Sequence, residues 1–210
     1  MIPIVLWLAQ GGLGWIAKKL EGPPTLAVHG GEVGSCPAYL ESPWEEVKKE
    51  PVNEQREGGV AVTEDGSDPA ELTLTLQAET SEAIVVTGVG VKALSSKPLP
   101  ESGFILTGGC GGLMTPRVFT VDLTKSPAQA RPEKSPGKKS ADFPLKVSDS
   151  DPEQVSLLLE PGDREIRFAV EVMWIAGGES GVEVLDNNGL GFRVMGDGNI
   201  PTTVGANPPR

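Results

Sequence analysis

The chain has 210 residues, which suits one domain plus a tail or anchor. A domain of about 150 residues hides roughly 70% of its unfolded surface, so a real core is within reach. The net charge of −11 repels phosphate backbones and argues against nucleic acid as a partner. Gly and Pro together exceed a fifth of the chain, where average usage gives roughly 12%. That excess calls for many turns between short strands. Aromatic residues are only 5% of the chain, so its core must be built mostly from Val, Leu and Ile.

Residues 1–17 are apolar except for Gln10, and Lys18 and Lys19 close the run. A membrane-spanning helix wants about 20 apolar residues, with about 17 as the lower limit. Residues 1–19 are therefore expected to form an N-terminal apolar helix that anchors the chain in a membrane as a single pass. Trp7 and Trp15 suit the two interfaces. Pro3, Gly11, Gly12 and Gly14 weaken such a helix in water but are better tolerated in lipid. A cleaved signal peptide fits less well, because no basic stretch precedes the run and no small-x-small site follows it. A buried apolar arm of a soluble protein is the third reading. Lys18 and Lys19 favour the cytoplasmic side, which conflicts with an outward-facing domain unless basic residues precede Met1.

Residues 20–59 read as a connector holding a first strand, at about 25–28, and a short helix. In Ser42-Pro43-Trp44-Glu45, Ser42 can cap, Pro43 suits the first helical position, and Glu45 sits where a capping box needs it. Pro51 stops the helix after one or two turns. From there the strand signals are clear. Residues 71–77 alternate, with Leu72, Leu74 and Leu76 on one face. Residues 83–91 follow, and Gly88 and Gly90 mark a bulge or a close approach. Residues 104–107 and 117–123 come next. Residues 125–141 form an exposed basic loop, with Lys125, Arg131, Lys134, Lys138 and Lys139 against Glu133. Further strands are expected at 143–147, 154–160, 165–174, 181–186 and 190–194. Asp186-Asn187-Asn188-Gly189 reads as the hairpin turn between the last two. Residues 196–210 read as a flexible tail.

About nine short strands, almost no helix and regular turns predict an all-β, antiparallel two-sheet sandwich of immunoglobulin type over residues 60–195. Its expected core is Leu74, Leu76, Val85, Phe119, Val121, Leu158, Phe168, Val170 and Trp174. Trp174 reads as core rather than as a ligand platform.

The stretch Gly108-Gly109-Cys110-Gly111-Gly112 has the spacing of a hydrolase nucleophile elbow. An elbow needs a helix after it and a base downstream, whereas the single histidine, His29, lies about eighty residues upstream. The structural reading is stronger: two cysteines in an acidic, exported chain predict one disulfide, Cys36 to Cys110, with two free buried thiols as the alternative. One histidine and two cysteines match no zinc spacing. Asp149, Asp151 and Glu153 cluster in a loop without the spacing of a calcium site. Neither a metal nor a cofactor is therefore expected, and no residue is singled out as catalytic.

The segments LTLTLQ, GGCGGLMTPRVFTVDL, FPLKVSDSDPE and VEVMWIAGGESGVEVLDNNG cover about half the chain. With them the chain resembles a group of uncharacterised actinobacterial proteins that have one transmembrane segment and an extracytoplasmic β-rich domain. The resemblance implies a sandwich outside the membrane and brings no activity. Members of that group often carry further cysteines near the position of residues 164–168. This chain has none there, which leaves only Cys36 and Cys110 to pair.

The functional expectation is a non-enzymatic binding or sensing module, held at the cell membrane with its C-terminal domain outside. Its partners would be the membrane, through the N-terminal segment, and a protein or cell-envelope ligand. The competing expectations are a secreted hydrolase using carboxylates or Cys110, and an inert structural domain of an envelope complex.

Overall fold

The computed structural model describes residues 23–204, apart from Asn53 and the stretches 65–68, 109–116 and 134–141. The N-terminal apolar helix expected over 1–19, Cys110, and the last six residues lie outside the described residues. No helix among those described is long and apolar enough to cross a membrane.

The chain is mostly β and forms two mixed sheets. The first has five strands: β1 (Leu26–Gly30), β4 (Ala70–Ala78), β11 (Glu153–Glu160), β7 (Val118–Asp122) and β9 (Arg131–Pro132), in that order. The second has ten strands and curls into a half-barrel. Its main path runs β10 (Leu145–Val147), β5 (Ile84–Pro98), β12 (Arg164–Ala176), β14 (Phe192–Gly196), β3 (Val60–Thr63), β2 (Ala38–Leu40), β6 (Phe104–Thr107), β15 (Thr202–Val204). Beside that path, β13 (Glu179–Leu185) pairs with β12 and β8 (Ala128–Gln129) with β5. One helical turn, α1 (Trp44–Val47), completes the elements among the described residues.

The main core lies between the sheets. Leu72, Leu74 and Leu76 on β4 face inward, as their alternation predicts. So do Ile166, Phe168, Val170, Val172 and Trp174 on β12. Two of the expected core residues do not. Val85 and Leu158 are only half-buried, while their neighbours Ile84, Val86, Leu157 and Leu159 are buried. Both stand in continuous apolar runs, where composition cannot tell which alternate set faces in. A second cluster of Tyr39, Val60, Val62, Ile105 and Met195 lies on the other face of the curled sheet. A third joins Leu40, Val47, Phe104 and Leu106, where Trp44 meets Phe104 edge-on at 5.7 Å.

The curl has a local cause. The β5:β12 register slips twice, leaving Thr87 and Leu94 without a partner on β12. Bulges of this kind bend a strand and increase its twist. The first falls beside Gly88, where the glycines mark one.

The purely antiparallel, immunoglobulin-type arrangement is not what forms. Three strand pairs are parallel: β11 with β7, β14 with β3, and β15 with β6. The β11:β7 pair is parallel because the chain between them changes sheet repeatedly. It leaves β7 for β8 in the second sheet, returns as β9 beside β7, crosses to β10, and comes back as β11. Residues 125–133 of the basic loop are thereby pinned, with Ala128 buried against β5.

The turn at 186–189 also differs from the expectation. Asn187, Asn188 and Gly189 all adopt left-handed φ, of 50°, 57° and 83°. No hairpin results, because β14 does not pair back on β13. Instead β13 and β14 lie end to end along one edge of β12, both antiparallel to it. The true hairpin is Gly177-Gly178, with φ of 57° and 89°, which joins β12 to β13 in two residues. The expected Ser42 cap is absent as well: Pro43 takes the N-cap place in an extended conformation, with no side-chain cap bond. Beyond residue 196 the chain still pairs, since β15 runs beside β6.

Candidate functional site

Two clefts of opposite character lie on this scaffold. The first is acidic and sits over the outer face of the five-stranded sheet. It encloses about 420 Å³, with Glu64, Asp122, Glu133 and Glu160 among its walls. The parallel β11:β7 register sets Glu160 opposite Asp122, and like charges placed so repel. Each carboxylate answers differently. Asp122 accepts bonds from the Thr124 hydroxyl and backbone N–H and pairs with Lys125 at 3.6 Å, and the Thr124 hydroxyl bond is the main cause holding its carboxyl below the ordinary range. Partial burial, then the charges of Asp122 and Glu133, push Glu160 above it. Thr120 donates its hydroxyl to Glu133.

The second cleft is larger, about 750 Å³, and lies where β12 and β14 meet the connections around residues 32–35 and 56–59. Arg56, Arg167 and Arg193 line it, with Glu32 and Glu57 as its acids. The β12:β14 register places Arg167 directly opposite Arg193. Arg193 Nε donates to Glu165 Oε1 at 2.8 Å. That hydrogen bond is the main reason the Glu165 carboxyl stays below the ordinary range, against the effect of burial, with the charges of Lys97 and Arg167 adding to it. Arg167 Nη1 donates to the carbonyl of Leu190, which lies just after the left-handed turn. Arg56 donates to the carbonyl of Gly108, and burial lowers its pKa. The left-handed turn at 187–189, the expected hairpin, is therefore a lip of this cleft.

The residues singled out by sequence are not gathered here. His29 is exposed on β1, opposite Thr75, beside a pocket of about 380 Å³ that includes Asp186 and Asn188. Cys36 is half-buried and is not a free thiol. Cys110 and the rest of its glycine run after Gly108 lie outside the described residues. Glu153 accepts from Arg117 Nε and Nη2 on its two carboxylate oxygens, at 2.7 and 2.8 Å, which removes it from the Asp149–Asp151 loop. Among the described residues no group of three His, Cys, Asp or Glu side chains is placed to hold a metal ion. Trp174 is buried, and its indole N–H reaches Glu183 at 3.4 Å. On the outer face beside it, Ile175, Val182 and Val184 are exposed.

Neither arginine cleft nor acidic cleft was visible in the sequence, because each joins segments far apart in the chain. The usable signal for the arginine cleft was the pair of arginines at 167 and 193, each within a segment expected to be a strand. No family model, curated protein or solved structure matches the chain.

Proposed function

We propose that the protein is a non-enzymatic binding or sensing module, anchored through residues 1–19 with its β domain on the outer side of the membrane, like the actinobacterial group it resembles. The observation that carries this reading is the arginine-lined cleft. It is concave, of ligand size, and built on paired strands with loops for lips, which is how rigid β scaffolds present recognition surfaces. The exposed apolar strip of Ile175, Val182 and Val184 offers a second surface of the kind partners use.

The outward placement is supported by cysteine chemistry. The reading includes a disulfide from Cys36 to Cys110, which persists in oxidising compartments. The β2:β6 register pairs Ala38 with Leu106. Continued by two residues, it brings Cys36 level with Gly108, two residues short of Cys110.

The test uses the full chain as bait for proteins and envelope fragments from membranes, alongside a panel of hydrolase substrates. Specific capture with no turnover supports the module. Turnover that vanishes in Cys110→Ser, or in Glu160→Gln, makes the protein an enzyme and overturns the reading.

A further inference from the structure

Lys97, Arg167 and Arg193 surround one carboxylate. Lys97 is the cross-strand partner of Glu165 on β5, and Arg193 is bonded to it. Arg167 lies across from Arg193. Directly opposed residues on one sheet face hold their Cβ atoms about 5 Å apart, and like charges there cost stability. A chain of net charge −11 with seven arginines has brought three of them to the walls of one cleft. Glu165 is bonded to Arg193, and Glu32 and Glu57 stand in the same walls, so the assignment rests on the placement of the guanidinium groups, Arg167 above all, and not on net charge. Arg167 takes no part in the four ion pairs found among the described residues, and its recorded bond is to a neutral carbonyl. A guanidinium has five N–H donors, so that bond leaves most of them available.

We infer that this cleft binds an anionic ligand, engaged through carboxylate or phosphate groups by Arg167 and Arg193 from the sheet and Arg56 from the facing connection. The assignment deepens the binding-module reading and rests on it. The planar guanidinium fork matches carboxylate and phosphate oxygens two at a time, which a lysine cannot do. Among the described residues Phe192 is the one aromatic in the lining, and it is buried, so those walls give no platform for stacking a neutral sugar ring. The volume fits a ligand the size of a disaccharide or smaller. The acidic cleft on the other sheet serves as an internal control, since its walls repel the same probes.

Calorimetric titration of the full chain with citrate and with inorganic phosphate, at low ionic strength, tests the inference. The expected result is saturable binding of at least one probe that weakens as sodium chloride is added. Binding should fall at least tenfold in Arg167→Gln, be partly kept in Arg167→Lys, and be unchanged in Arg131→Gln, which alters the acidic side instead. Arg56→Gln, on a separate segment, gives the same readout if Arg167→Gln does not fold. Citrate alone binding identifies a carboxylate ligand; phosphate alone identifies a phosphate ligand. Equal binding by Arg167→Gln and Arg56→Gln overturns the assignment. So does silence toward both anions. If the chain then still captures a neutral or basic envelope fragment, the anion assignment alone falls; if it captures nothing, the binding-module reading falls with it.

Discussion

Glu160 and Gly181 show how single residues are held by their cross-strand neighbours. Burial, then the charges of Asp122 and Glu133, raise the Glu160 carboxyl above its ordinary range. A carboxyl raised in the folded state binds its proton more tightly there than in the unfolded chain. This site therefore adds stability as pH falls through the raised value toward the ordinary carboxylate range, and withholds it above. Asp122→Asn removes the second of the three causes and leaves burial in place. The Glu160 titration followed by carbon NMR should then move part of the way back down. No movement would mean that the Asp122 charge does not reach it. Gly181 lies opposite Trp174 in the β12:β13 register. A Cβ at that position would collide with the indole ring at Cζ2. The glycine is thus the space into which the tryptophan lies, and Gly181→Val overpacks it. The expected loss is about 1–3 kcal/mol, read as a lower urea midpoint at unchanged slope, together with a shifted tryptophan emission.

At the level of elements, the left-handed turn at 187–189 makes the sharpest test. L-residues enter that conformation at a cost of about 1–2 kcal/mol, which Asn tolerates better than most and a β-branched residue worst. Asn188→Val should lower stability by roughly that amount, whereas Asn188→Gly should be close to neutral. Equal effects of the two in chemical unfolding would show that φ is not what limits the turn. The same turn marks where sequence reading ends. Asn-Asn-Gly announces positive φ, and the structure has it, but positive φ does not say where the next strand goes. That depended on the length of β12, whose thirteen residues leave room on one edge for both β13 and β14. Period-two alternation made the inward faces of β4 and β12 legible. The phase of the apolar runs holding Val85 and Leu158 was not, since either set of alternate residues is apolar. Parallel pairing was equally hidden, because it follows from chain crossings between sheets and not from any local pattern.

At the scale of the whole molecule, the two sheets and the path between them depend on contacts distant in sequence. β2 and β6 are the clearest case, paired across more than sixty residues and carrying the second and third apolar clusters. A bond from Cys36 to Cys110 would close a loop of about 75 residues next to that pairing, and in the chain-entropy account such a closure stabilises by roughly 4 kcal/mol. That is a large fraction of a typical domain's net stability. Cys36→Ser and Cys110→Ser should therefore each lower the unfolding midpoint steeply, and by similar amounts, because each removes the same bond. The double variant should be no worse than either single one. Reductant should bring the unaltered chain down to the same midpoint and leave the variants where they are. Alkylation of protein taken from its native membrane completes the test: thiols that label only after reduction place the domain in an oxidising compartment. Two thiols that label freely would put it on the cytoplasmic side, the orientation that Lys18 and Lys19 favour by themselves.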